Sequence, residues 1–330
     1  MIPFSRPRTS GENRAVHSIP SDMISKTDQR LIEELQKDGR ASYSELAAKL
    51  GIAASTVAKR VERLITSRII DVRALQNPFK LGLMANALIA IKTDPTKIDD
   101  VCNQLIHHFY VNNVMTVFGY FDILIIVFFP TWEMLFDFIN KELSHIDGVL
   151  QFETYQIREI KKRSHQLVDN ASKYETSQKL KEIDWKLIKE LVKDGRMNIS
   201  ELSARLGTHI STVSRRISAL IHDDIIKIQA VPNPSKFGYS SNAILFLDVE
   251  PTQLDHIDNS LLYHPEVHLF ITLSNRSGVI VGLHAKNNEA LYKFIKRKIS
   301  PLRGIIGIQT FIRGEIKKRF YAWFLEEKEE

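Results

Sequence analysis

One cysteine, Cys102, stands in 330 residues. An intrachain disulfide is impossible, and such a chain suits a reducing compartment. Long apolar runs are missing too. The longest, residues 123–129, stops at Pro130 and falls far short of the roughly 20 residues a membrane-spanning helix needs. No apolar segment opens the chain, so no export signal is expected and a cytoplasmic location is. Catalytic signatures are absent as well. There is no His-Glu-x-x-His helix, no phosphate-cradling glycine loop, no paired cysteine site and no Gly-x-Ser-x-Gly elbow. No catalytic residue, metal or cofactor is expected, and the chain is not read as an enzyme. Charge is nearly balanced, with Lys+Arg 45 against Asp+Glu 39 and a net charge of +6. That mild excess permits nucleic acid binding without establishing it.

What the chain does have is a duplication. Residues 38–64, DGRASYSELAAKLGIAASTVAKRVERL, return at 194–220 as DGRMNISELSARLGTHISTVSRRISAL. The offset is constant and ungapped, and about half the residues from Asp28 to Ala87 are identical to those from Asp184 to Ala243. The period is too long for a solenoid, so the chain reads as two copies of one larger unit.

Each copy opens as a helix-turn-helix. A short helix ends at Gly51, which tolerates the left-handed conformation at a helix C-terminus. Three residues on, Ser55 and Thr56 open a second helix. Val57, Val61, Leu64 and Ile65 form its inward stripe, leaving Ser55, Thr56, Lys59, Arg60 and Arg63 outside. In copy two Val213, Ile217, Leu220 and Ile221 are expected inside, with Ser211, Thr212, Arg215 and Arg216 outside. Short hydroxyls in a first helical turn followed by basic side chains suit a helix laid in the major groove of double-stranded DNA. These nine outer residues are the expected DNA-binding set.

Residues 1–25 carry Arg6, Arg8 and Arg14 without periodicity and read as a disordered basic arm. The first helix is expected to be capped by Thr27, with Asp28 in its first turn. The first helix-turn-helix domain spans 26–76. Residues 77–163 follow the order β-α-β-β-α-β, the ferredoxin-like arrangement, with a helix there using Trp132, Leu135, Phe136 and Ile139. A polar linker over 164–181 would reach about 65 Å at most, enough to set two DNA-reading units one turn of about 34 Å apart. The plan repeats over 182–232 and 233–325, and 326–330 is a short acidic tail. The fold class is thus α+β: two tandem units, each a winged helix-turn-helix followed by a ferredoxin-like domain.

The run 123–129 does not alternate in polarity. An antiparallel sheet with helices on one face should leave the other face wet. A second apolar face demands a cover, and a partner sheet is the simplest one. Self-association through these domains is expected, either within the chain or as a homo-oligomer.

These motifs resemble the Lrp/AsnC (leucine-responsive) family of transcription regulators. The resemblance rests on D-x-x-L-I-x-x-L-x-K-D-G-R from Asp28 to Arg40, E-L-A-x-x-L-G from Glu45, S-T-V-x-x-R-[VI]-x-x-L, the Asn-Pro-x-x-x-Gly joint and the Gly119-Tyr120-Phe121-Asp122 turn. It implies a DNA-binding domain joined to a RAM-type effector domain that takes small molecules, usually amino acids. Gly119, Tyr120, Phe121 and Asp122 would lie beside that effector, with Asp122 meeting an ammonium group. Copy two reads Ser274-Asn275-Arg276-Ser277-Gly278 there, so copy one is the expected sensor. Sirohaem decarboxylases, a related branch, pair two such halves and use His and Arg around a tetrapyrrole, which makes them the alternative reading. Here His107, His108, His145, His264, His268 and His284 read as surface or capping residues instead.

Overall fold

The computed structural model describes residues 24–163, 166–167 and 180–319. The arm over 1–25, the linker over 164–181 and the tail over 326–330 lie wholly or mostly outside the described residues. Copy one runs α1 (Lys26–Lys37), α2 (Tyr43–Leu50), α3 (Ala54–Thr66), β1 (Ile70–Gln76), β2 (Ala85–Thr93), α4 (Ile98–His107), β3 (Val111–Phe118), β4 (Ile123–Phe129), α5 (Trp132–Asp137) and β5 (Val149–Arg163). A two-residue strand, β6 (Gln166–Leu167), follows. Copy two runs α6 (Glu182–Lys193), α7 (Ile199–Leu206), α8 (Ile210–His222), β7 (Ile226–Pro232), β8 (Ser241–Val249), α9 (Leu254–Leu261), β9 (Val267–Leu273), β10 (Gly278–Ala285), α10 (Asn288–Phe294) and β11 (Ile305–Lys318).

Local chemistry sets the helix ends. Ser25, not Thr27, caps α1: its hydroxyl accepts from Asp28 N–H, and the Asp28 carboxylate accepts from Ser25 N–H, a reciprocal capping box. Ser42 and Glu45 do the same for α2. Gly51 and Gly207 close α2 and α7 in the left-handed region, at φ 70° and 59°. α5 departs from the expected pattern. It continues into a π turn, Phe138–Glu142, which shifts the helical phase. Leu135, Phe138 and Ile139 go inward, while Trp132 and Phe136 are left exposed.

The two helix-turn-helix copies form one body. β1 and β7 pair antiparallel, from Ile70 opposite Pro232 to Gln76 opposite Ile226. α1 packs on the wing strand of copy two and α6 on that of copy one, so one apolar core joins both halves. The Asp-Gly-Arg motif is the clasp. Gly39 N–H donates to Ile228 O and Gly195 N–H to Val72 O, at 2.9 and 2.8 Å. A Cβ at Gly39 would lie 2.8 Å from Gln229 Cα, and one at Gly195 3.0 Å from Arg73 Cα. Only glycine lets the backbones approach so closely. Arg40 then donates across to Gly195 O and Met197 O, and Arg196 returns the contact to Gly39 O and Ala41 O.

Nine strands form the second sheet, in the order β2-β4-β3-β11-β8-β10-β9-β5-β6, and β2 also pairs with β5. All but β6 therefore close into a ring. Each copy's long last strand bridges to the other: β5 pairs with β2 and β9, β11 with β8 and β3. The cover demanded by the two-faced strand is the chain's own second copy. On β4, Ile123, Ile125, Val127 and Phe129 face the helices, whereas Leu124, Ile126 and Phe128 face the ring interior. α9 and α10 cover copy two in the same way.

Lysines near the ends of these long strands tie each copy to the other's helix. Lys162 Nζ donates to Leu262 O and His264 O, just past α9. Lys318 Nζ donates to His108 O, just past α4. A cation at a helix C-terminus complements the exposed carbonyls there. Burial pushes the Lys318 ammonium down to about 8, below the value near 10.4 it holds in an unfolded chain. The native state then binds fewer protons than the unfolded one between those values, so this group's contribution rises with pH across that window. Wild type should gain stability over Lys318→Met between about pH 8 and about pH 10. Urea midpoints at both pH values measure it, and an unchanged difference refutes the assignment.

Candidate nucleic-acid interface and interior cavity

α3 and α8 begin without a side-chain cap, at Ala53 and His209. Thr56 and Thr212 N–H donate to Ala53 O and His209 O, and no side chain competes with a phosphate for the N–H groups that precede them in the first turn. Ser55, Thr56 and Lys59 are exposed on α3, as are Ser211 and Arg215 on α8, with Thr212 half-buried. The remaining arginines of the expected DNA-binding set, Arg60, Arg63 and Arg216, are partly exposed and pair with carboxylates of α1 and α6. Arg60 Nη1 lies 2.9 Å and Arg63 Nη2 2.7 Å from the two oxygens of Asp28, which is 1% exposed. Arg216 grips Asp184 through both Nε and Nη2, and Asp184 is fully buried. These guanidiniums hold the recognition helices onto α1 and α6, so any contact they make with DNA competes with the buried carboxylates. Ile221, expected inside, is 43% exposed.

The Gly119–Asp122 turn is also part of the framework. Phe121 is buried in the ring interior, and a Cβ at Gly119 would lie 2.7 Å from Phe311 Cδ1. The Asp122 carboxylate accepts from Lys92 Nζ at 3.1 Å and Thr93 N–H at 2.9 Å. A ligand ammonium would have to compete with both. Tyr120 is widely exposed, and Gly119 is exposed beside it.

A cavity of about 330 Å³ opens elsewhere, between the ring interior and the segment leaving β7. Its apolar lining includes Met115, Ile126, Phe128, Ile244 and Leu269, and Arg163 of β5, Arg313 of β11 and Arg319 just past β11 also line it. His268 and His284 stack on its wall, ring centroids 3.7 Å apart and 15° from parallel. Arg313 Nη1 lies 3.4 Å from His284 Nε2. These two histidines are therefore neither surface nor capping residues. The sequence hid them because they lie on neighbouring strands and a register shift after Gly282 brings the rings together. No Gly119–Asp122 residue lines this cavity, and copy two supplies most of its polar wall. Among the described residues no group of three His, Cys, Asp or Glu side chains could hold a metal. No described helix is long and apolar enough to cross a membrane.

Residues 24–65 match the AsnC-type helix-turn-helix domain, and residues 180–227 a winged helix-turn-helix DNA-binding domain. Residues 86–167 and 242–322 each match the Lrp/AsnC ligand-binding domain. The chain belongs to the Lrp/AsnC family.

Relatives in this family align with a single unit. An uncharacterised HTH-type transcriptional regulator of Pyrococcus horikoshii is 33% identical over 144 residues, covering 43% of this chain and 91% of that protein. A Pyrococcus furiosus counterpart is 36% identical over 141 residues, 42% of this chain and 95% of its own. The HTH-type transcriptional regulator LrpA of P. horikoshii is 33% identical over 128 residues, 38% and 91%. Among solved structures, the siroheme decarboxylase NirDL superposes on 90% of this chain and 96% of its own with a TM-score of 0.65. At 17% identity that likeness shows the shared tandem fold alone. This Lrp/AsnC chain thus carries two units where the aligned regulators match one, and it holds both DNA-binding-type domains in one clasped pair.

Proposed function

We propose that the chain is a cytoplasmic, DNA-binding transcription regulator in which one polypeptide supplies both halves of the DNA-reading pair, under the control of a small effector. The observation that carries this reading is the clasped helix-turn-helix body with two outward, uncapped recognition helices. The DNA-facing set is Ser55, Thr56, Lys59, Ser211, Thr212 and Arg215. The two faces are unequal: Lys59 of copy one stands where copy two has Arg215. A homodimer of identical chains reads two identical half-sites, whereas an unequal pair selects a non-palindromic one. Selection of genomic fragments on the purified chain at two salt concentrations tests this. Discrete, asymmetric sites that weaken with salt support it, and no enrichment refutes it.

Point variants sharpen the test. Lys59→Ala and Arg215→Ala should each weaken DNA binding by about 1–3 kcal/mol if the side chain reads a base, or lower the salt slope by about 1 if it meets a phosphate. Fluorescence anisotropy across a salt series measures both. If neither variant changes affinity or slope, the interface lies elsewhere.

A second reading is favoured by the stacked His268 and His284 beside Arg313. Such a cluster suits an enzyme that acts on a carboxylated tetrapyrrole, as the siroheme decarboxylases do. A coloured preparation, or uroporphyrin binding without DNA binding, would favour it over the regulator.

A further inference from the structure

We propose that the cavity binds a small organic acid, its carboxylate held at Arg313 and His284 and its apolar body resting on the ring interior. This names the effector class within the regulator reading and rests on that reading only for the effector's role. The first argument comes from comparing the two copies. At the constant offset, His268, Gly282, His284 and Arg313 of copy two stand where copy one has Asn112, Ile126, Phe128 and Ile157. In copy one the last three fill the ring interior with hydrocarbon. In copy two one side chain is deleted and basic groups replace the others. The four differences meet at one wall, since His268, His284 and Arg313 line the cavity and a Cβ at Gly282 would lie 2.8 Å from His268 Nε2. Gly282 is the space the imidazole occupies.

The second argument is charge. Arg313 Nε is buried with no hydrogen-bond partner among the described residues. Burial, and then the neighbouring Arg319, push the Arg313 guanidinium down to about 10. None of the described lining residues is Asp or Glu. A desolvated cation without a counter-charge among the described residues is costly, and an entering carboxylate removes that cost through charge-assisted hydrogen bonds. The apolar lining decides what carries the carboxylate. Met115, Phe128 and Leu269 offer no polar partner to an inorganic ion and suit an apolar body. The volume is in the range that small-molecule sites occupy. The end of the wing strand β7, Val231 and Pro232, and the residues just past it, Asn233 to Ser235, also line the cavity, and Asn233 N–H donates to Ile69 O of copy one. An occupant therefore touches the connection to the DNA-reading pair directly.

The test is calorimetric titration of the full chain with 3-phenylpropionate, its neutral amide, inorganic phosphate and uroporphyrin. Arg313→Ile and His284→Phe restore the residues of copy one, and melting curves verify that both variants fold. The acid should bind wild type, bind Arg313→Ile at least tenfold more weakly, and outcompete the amide. Equal binding by the amide, undiminished binding by a folded Arg313→Ile, or no binding of the acid overturns the proposal. Phosphate binding alone overturns the apolar-body part, and uroporphyrin binding alone replaces the small acid by a tetrapyrrole. DNA affinity of the same preparations without ligand is read separately. Its loss would sink the regulator reading while leaving the cavity result standing.

Discussion

Asp28→Ala should cost the helix-turn-helix body about 1–3 kcal/mol, because it removes the capping box of α1 and the charge-assisted hydrogen bonds from two partly exposed arginines. Asp28 receives the Ser25 N–H and hydroxyl, Arg60 and Arg63, so one carboxylate starts α1 and anchors α3. Asp184 holds Arg216 in the same way in copy two. Burial pushes the Asp28 carboxyl upward, but the hydrogen bonds from Ser25, Arg60 and Arg63 outweigh it, and the net pKa falls below the usual value. A native pKa below the unfolded one gives stability that is present at neutral pH and lost as pH falls below about 4. Guanidinium unfolding at pH 7 and pH 3 measures both parts. The advantage of wild type over Asp28→Ala should be smaller at the lower pH. A variant within about 1 kcal/mol of wild type at pH 7 would mean that Arg60 and Arg63 are free to face DNA after all.

The same pair marks where sequence reading stops. A helical wheel places Arg60 at the border of the outer face of α3, and nothing local distinguishes a base-reading arginine from one that folds back. The deciding partner lies 32 residues upstream, where an aspartate reads equally well as a first-turn residue. The helices themselves were legible because their 3.6-residue stripe is strong. The ring was half legible. The two-faced apolar strand β4 announced a covering layer, but only topology tells that the cover is β8 to β11 of the same chain. The clasp was present in the sequence as a repeated Asp-Gly-Arg with no assigned role. Its meaning depends on the opposite wing, which no periodicity predicts. The cavity was least legible, because its basic wall is assembled from β9, β10 and β11. The available signal was the set of positions at which two otherwise similar copies disagree.

Phe311→Ala should cost about 3–5 kcal/mol, and for a different reason. Phe311 is 1% exposed and lies in the ring interior. Its ring centroid is 4.9 Å from that of Phe246 and 6.1 Å from that of Phe121. Phe246 belongs to its own copy and Phe121 to the other, so truncation opens a cavity between the halves. The backbone of Gly119 is pressed against the same ring, where a Cβ would lie 2.7 Å from Phe311 Cδ1. The turn that resembles an effector loop is thus shaped by a side chain of the second copy. Deleting that ring removes the packing that requires the glycine. Phe311→Ala should then tolerate Gly119→Ala better than wild type does, giving a favourable coupling between the two substitutions. Urea unfolding of both single variants and the double variant measures the cycle. Strict additivity, or a loss below about 1 kcal/mol for Phe311→Ala, would show that the two copies do not share this core.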